Sequence, residues 1–333
     1  MKNNLNLVYA ALLIGMLWSC EGDKKPAETS EIPVTEKQVN VPVFNADSAF
    51  DYVKRQVEFG PRVPNTAAHK KCGDFLESKL KATGAEVMIQ SFTAKAYDGT
   101  TLELENIIAS VNPAASKRIL LAAHWDSRPF ADQDEKDKRK PIDGANDGGS
   151  GVGVLLEVVR TLQLASKKPD VGVDIILFDG EDYGQPDFDS DKGEAQNSWC
   201  LGSQYWSKNR HKENYSAYYG ILLDMVGAKN AKFAKEGTSM HFAPSVVEKV
   251  WNIAHMKGFG NYFISQETGA ITDDHAYVNE LAKIPMIDII EYNVGGKNYF
   301  GDYWHTHDDN MEVIDRATLN AVGQTLLEVI YRE

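Results

Sequence analysis

The strongest constraint in this sequence is a set of uninterrupted apolar runs, each of which stops at acids or a histidine. Ile119-Leu120-Leu121-Ala122-Ala123 runs into His124-Trp125-Asp126, and Val173-Asp174-Ile175-Ile176-Leu177-Phe178 leads to Glu181-Asp182. Tyr219-Gly220-Ile221-Leu222-Leu223 ends at Asp224. Runs this apolar, with little alternation, read as strands buried on both faces, the habit of parallel sheets covered by helices. The fold class predicted is α/β: a single domain with a central mixed, mostly parallel β-sheet flanked by helices. Open sheets of this kind bind ligands beyond the carboxyl ends of their strands. Acids and histidines delivered to that one edge make little sense as solvated surface, and with Asp147, Asp273-Asp274-His275 and Trp304-His305 they point to a zinc site.

A length of 333 residues allows one large α/β domain or two smaller ones. No internal repeat and no clear linker follow residue 45, so one domain over residues 45–333 is the economical reading. The net charge of −13 argues against non-specific nucleic-acid binding, which needs a basic face.

The amino terminus is a targeting segment. Lys2 precedes an apolar run, Leu7 to Leu17, that is too short to span a bilayer. It closes on Leu17-Trp18-Ser19-Cys20, which resembles the lipobox of a bacterial lipoprotein. The resemblance implies a signal peptide over residues 1–19, lipid on Cys20, and an exported, membrane-anchored protein of the periplasm or outer membrane. The alternative is an ordinary secretory signal or an uncleaved anchor. Residues 20–44, with Pro26, Pro33 and Pro42 among Glu, Lys and Thr, read as a flexible tether. Beyond it only Cys72 and Cys200 remain, far apart and outside any CxxC, which permits one bridge but argues against a thiolate zinc site. The metal ligands expected are carboxylates and imidazoles.

Periodicity predicts helices over 48–58, 67–82, 151–163, 201–207, 244–257 and 316–331, and strands over 85–92, 102–111, 118–123, 171–178, 219–224 and 285–290. Arg128–Pro141, with its alternating charges, reads as a mere surface insertion or, alternatively, a solvated lid or rim, and Gln185–Asn197 as a long loop beside the site. Asn146-Asp147-Gly148-Gly149-Ser150-Gly151 lacks the Lys-Ser/Thr ending of a phosphate loop. Its glycines are better explained by tight packing at a helix start, with Asp147 aimed into the site. His124 and Asp126, two apart at a strand exit, are either a metal ligand with its orienting partner or a structural ion pair. Glu181-Asp182 would repel if both were ionised and unbound. A metal on one would leave the other to carry protons. In that company His305 is the natural nitrogen ligand, for a zinc held by three protein groups with one position open.

Taken in order, His124-Trp125-Asp126-Ser127, Gly144-Ala145-Asn146-Asp147, Phe178-Asp179-Gly180-Glu181-Asp182, Leu222-Leu223-Asp224-Met225-Val226-Gly227-Ala228, Asp273-Asp274-His275 and Trp304-His305-Thr306 resemble the animal-type glutaminyl cyclases. That family shares its fold with bacterial zinc aminopeptidases, and the likeness, closer to its bacterial members, covers residues 45–333. The resemblance implies one zinc on Asp147, Asp182 and His305, with Glu181 as general acid/base. Asp224 and Asp273 would form a carboxylate network beside Glu181, and Trp304 would line the substrate pocket. The implied substrate is a peptide or protein beginning with glutamine, cyclised to pyroglutamate with loss of ammonia. Animal cyclases usually carry Glu where this chain has Asp182, a shorter arm that calls for a small backbone shift or another coordination mode. The rival implication is a two-zinc aminopeptidase, with His124 and Asp224 on the second metal and Asp147 bridging. Trp304 and Asp273 favour the cyclase. A non-catalytic binding lipoprotein on the same fold would have lost ligands, and here they are intact.

Overall fold

The computed structural model describes residues 39–192, 197–293 and 299–333. The expected signal peptide, Cys20 and most of the expected tether lie outside these residues. Residues 39–44, expected as the end of the tether, lie against the domain. Phe44 is buried and its N–H donates to Gln324 Oε1 at 2.9 Å. No described helix is long and apolar enough to cross a membrane.

Two helices open the domain, α1 (Ala46–Val57) and α2 (Ala67–Ala82), each started by a side-chain cap: Asn45 accepts from the Ser48 N–H and Thr66 from the His69 N–H. The hairpin β1 (Glu86–Lys95) and β2 (Thr101–Val111) follows, then β3 (Arg118–His124), α3 (Gly149–Leu164) and β4 (Gly172–Phe178). Next come α4 (Leu201–Lys208), β5 (Gly220–Asp224), β6 (Phe233–Lys235), α5 (Gly237–Phe242), α6 (Pro244–Met256) and β7 (Phe263–Glu267). A short α7 (Asp274–Tyr277) continues into a π turn over Val278–Ala282, before β8 (Met286–Ile290) and α8 (Arg316–Tyr331) close the chain.

The main sheet has six strands in the order β1-β2-β4-β3-β5-β8. The pairs β4–β3, β3–β5 and β5–β8 are parallel, while β1–β2 and β2–β4 are antiparallel, which is the mixed, mostly parallel sheet expected. Burial on both faces explains the apolar runs. In β3, Ile119, Leu121 and Ala123 face the core made with α1, α3, α6 and α8, while Leu120 and Ala122 face a second core with Trp206, Tyr215 and Val278. Because β3, β4 and β5 are parallel, His124, the turn after Phe178 and Asp224 all emerge at one sheet edge.

Helix α3 crosses behind that edge closely enough to require glycine. A Cβ on Gly151 would lie 2.5 Å from the Leu223 carbonyl oxygen and 2.9 Å from Ala123 Cβ. Gly148 adopts φ +80°, and a Cβ there would meet His124 Cε1 at 2.9 Å. The glycine run is thus a packing device that brings Asp147 against His124.

Some expectations are corrected. The small parallel pair β6–β7 and helix α5 were not expected, and Gln185–Asn197 includes a short 3₁₀ turn, Asp187–Lys192. The segment from Arg128 is not a mere surface insertion: Arg128, Ala131 and Asp132 are buried, and only the tip beyond them is exposed. Cys72 and Cys200 are buried free thiols rather than a bridge.

Candidate metal centre and active site

The loops beyond the strands are held by buried polar groups. Asp126 sits just past β3, and its two carboxylate oxygens accept the N–H groups of Glu181 (3.1 Å) and Asp182 (3.2 Å), fixing the turn after β4. Its Oδ1 also stands 3.5 Å from His124 Nδ1. Asp126 is therefore an orienting group for the adjacent acids as much as for the histidine. Asp309 does the same for the loop before α3, accepting from Asn146 N (2.7 Å) and Asp147 N (3.0 Å). Fully buried Arg62 donates to the carbonyls of Trp125, Asp143 and Gly144, tying that loop to the exit of β3.

Two buried donor sets meet at Asp147. In one, His305 Nε2 lies 3.3 Å from Asp182 Oδ1 and 3.6 Å from Asp147 Oδ2. Asp182 Oδ2, in the same set, is buried without a hydrogen-bond partner. One nitrogen and two carboxylates converging, with an orphaned oxygen among them, fit zinc. In the other, His124 Nε2 lies 3.0 Å from Asp147 Oδ1 and 3.2 Å from Asp224 Oδ1. Both sets satisfy the spacing of a metal centre, with Asp147 common to them. The structure thus brings together all the expected ligands. It sets Asp224 against His124, and Asp273 against Glu181.

His305 is held in a left-handed conformation, φ 54°, which a non-glycine residue keeps only when its surroundings fix it. Its carbonyl accepts from Gln133 N (3.2 Å), and its Nδ1 faces Asp132 Oδ1 at 3.5 Å. Asp132 is gripped by Arg128, with Nε–Oδ1 2.7 Å and Nη2–Oδ2 2.6 Å, and Arg128 reaches Asp182 Oδ1 at 3.2 Å. Although burial alone would raise it, the Asp132 carboxyl is held far below the usual range by Arg128 and His305. A carboxylate behind the free nitrogen of a ligating histidine sets its tautomer, and such partners are typically worth about 10- to 100-fold in metal affinity. Asp132 and Arg128 were missed in the sequence because they stand in a run of charges that otherwise faces solvent.

A cavity of 410 Å³ opens onto this centre. It is lined by the apolar side chains of Trp199, Phe300, Trp304, Ile271 and Ile290 and by the acids Glu181, Asp224 and Asp273. Trp304 stacks on His305 with ring centres 3.8 Å apart. A wider cavity of 690 Å³, bordered by His69, Trp125 and Tyr205, contains none of the metal donors. Burial raises the Glu181 carboxyl well above its ordinary range; His124 opposes this, and Asp182, Asp273 and Asp274 reinforce it. Asp224 is pushed up to about 7, chiefly by burial and then by Asp147, against the pull of His124. His275 is buried away from the cavity, with Nε2 3.0 Å from Glu236 Oε1.

The chain is similar to known zinc exopeptidases and glutaminyl cyclases. The structure of a Zn-dependent exopeptidase from Parabacteroides distasonis is 57% identical, covering 88% of this chain and 100% of its own, with a TM-score of 0.86. Tannerella forsythia glutaminyl cyclase is 54% identical over 88% of this chain and 100% of its own, with a TM-score of 0.84. The glutaminyl-peptide cyclotransferase of Drosophila melanogaster is 26% identical over 284 residues, 78% of this chain and 73% of that protein. Residues 106–330 match the model of peptidase family M28, and the chain belongs to that family.

Proposed function

We propose that the protein is a glutaminyl-peptide cyclotransferase, converting an N-terminal glutamine to pyroglutamate with release of ammonia, with one zinc held by Asp147, Asp182 and His305. The observation that carries this reading is the joining of that donor set to a small aromatic-walled cavity, in which Trp304 stacks on His305 and Glu181 faces Asp273. Such a slot suits one compact side chain folded on itself. The likeness to the Tannerella and Drosophila proteins supports the same reaction.

Zinc bound there supplies Lewis-acid polarisation of the γ-carbonyl. The chain's own residues do the rest. The aromatic walls hold the glutamyl side chain against its own α-amine, so that the attack is intramolecular and much of its entropic cost is met on binding. Glu181 accepts a proton from the α-amine as that nitrogen bonds to the carbonyl carbon of the side-chain amide. It then delivers the proton to the amide nitrogen as the old C–N bond breaks, leaving a five-membered lactam and ammonia. No water is consumed. A carboxyl raised by burial suits a group that must act first as base and then as acid.

A second reading rests on the His124–Asp147–Asp224 set, which would give a two-zinc aminopeptidase that activates water and cleaves the first peptide bond. The product of a glutaminyl peptide separates the two, by loss of ammonia or of a whole residue. Metal content separates them as well. His124→Ala leaves the zinc equivalents of a one-zinc cyclase near wild type, whereas elemental analysis would find about one equivalent missing from a two-zinc peptidase.

We also propose export and anchoring through lipid on Cys20, which rests on the Leu7 to Leu17 run and Leu17-Trp18-Ser19-Cys20. Metabolic labelling with a fatty acid should mark the wild-type chain and not Cys20→Ser; equal labelling of both would refute it.

A further inference from the structure

The sequence argues against a thiolate metal site, yet the fold places Cys200 beside the proposed proton carrier. Cys200 stands at the start of α4 in a left-handed conformation, φ 54°. Its N–H donates to the Glu181 carbonyl at 2.8 Å, and Leu201 N donates to the Gly180 carbonyl at 3.0 Å, so the turn after β4 is pinned to the helix start. This brings Cys200 Sγ to 3.3 Å from Glu181 Oε1, with the thiol donating to the carboxylate. Asp273 completes a triad: one ligand atom each from Glu181, Cys200 and Asp273 lie within 4.8 Å of one another. Asp273 Oδ2 is buried with no hydrogen-bond partner, while its Oδ1 accepts from Asp274 N. Glu181 and Asp273 line the cavity, and Cys200 is fully buried behind them.

Ligand distances in zinc sites put the sulfur and oxygen atoms of one tetrahedral site roughly 3.5 Å apart. The 3.3 Å separation of Sγ from Oε1 is close to that, and a thiolate favours a soft cation over magnesium or calcium. We propose that Cys200, Glu181 and Asp273 form an inhibitory site for a thiophilic divalent cation such as excess zinc or cadmium, separate from the Asp147–Asp182–His305 centre. On binding, Cys200 releases its proton to solvent and its sulfur bonds the cation, together with one oxygen from each carboxylate. The same event occupies Glu181, so turnover stops while the catalytic metal stays in place. The inhibitory consequence rests on Glu181 carrying the proton; the binding itself does not.

The test is titration of the zinc-loaded full chain with cadmium, reading the ultraviolet sulfur-to-cadmium charge transfer and turnover of a glutaminyl peptide together. One cadmium per chain should raise the absorbance and remove activity in parallel. The absorbance should be lost in Cys200→Ser and kept in Cys72→Ser and Cys20→Ser, since the Asp147–Asp182–His305 set contains no sulfur to produce it. If Cys200→Ser fails to fold, Asp273→Asn is the second variant, and its absorbance should appear only at higher cadmium. No charge transfer, or charge transfer undiminished in Cys200→Ser, overturns the site. Charge transfer with full activity retained keeps the site but overturns both its inhibitory role and the role given to Glu181.

Discussion

Glu181→Gln will abolish turnover while zinc content stays at the wild-type level. The substitution keeps the shape of the side chain and removes its capacity to accept a proton. The backbone N–H of residue 181, which Asp126 holds at 3.1 Å, is unaffected, so the neighbouring Asp182 keeps its place. General acid/base catalysis is worth about 10² to 10⁴-fold, and a residue that serves both halves of one reaction stands at the upper end of that range. Loss of zinc from this variant would instead make Glu181 a ligand and reassign the proton transfers.

His305→Ala will lose metal and activity together. The histidine is the only nitrogen among the three donors of its set, and its imidazole is clamped between Asp132 behind and Asp147 and Asp182 in front. Removing an outer partner typically costs about 10- to 100-fold in metal affinity, and removing the ligand itself costs more. It also takes away the ring on which Trp304 stacks, so the wall of the cavity is disturbed too. Dialysed protein assayed for zinc and turnover decides the matter. An active, zinc-replete variant would move the centre to the His124 set.

What the sequence made legible follows from how local each signal is. The strands β3, β4 and β5 can be read because burial on both faces leaves an apolar run with an abrupt polar end. That same rule placed His124 and Asp224 at one sheet edge, with Glu181 just beyond it. Helices α2 and α8 have the bounds that periodicity and their termini predict. By contrast, β6 is three residues long, and a pairing so short leaves no periodic pattern. Asp132 could not be separated from Asp134, Glu135 and Asp137 by sequence, because it is picked out by its pairing with Arg128 and by His305, which a distant segment brings near. Asp309, beside Asp308, is hidden for the same reason. Its carboxylate is selected by the N–H groups of Asn146 and Asp147, which only the fold brings near. Cys200 carries no local mark at all, and its meeting with Glu181 depends on a left-handed turn. Arg128 holds the Asp182 carboxylate in place, its guanidinium 3.2 Å from Oδ1.

The most direct test of the central claim is the mass of a glutaminyl peptide after incubation with the zinc-loaded protein, with and without chelator. Cyclisation by the Asp147–Asp182–His305 centre and Glu181 predicts loss of one ammonia from an otherwise whole peptide, abolished by the chelator and restored by zinc. Release of the entire first residue would contradict it, and would make the protein an aminopeptidase that uses the second metal position at His124 and Asp224.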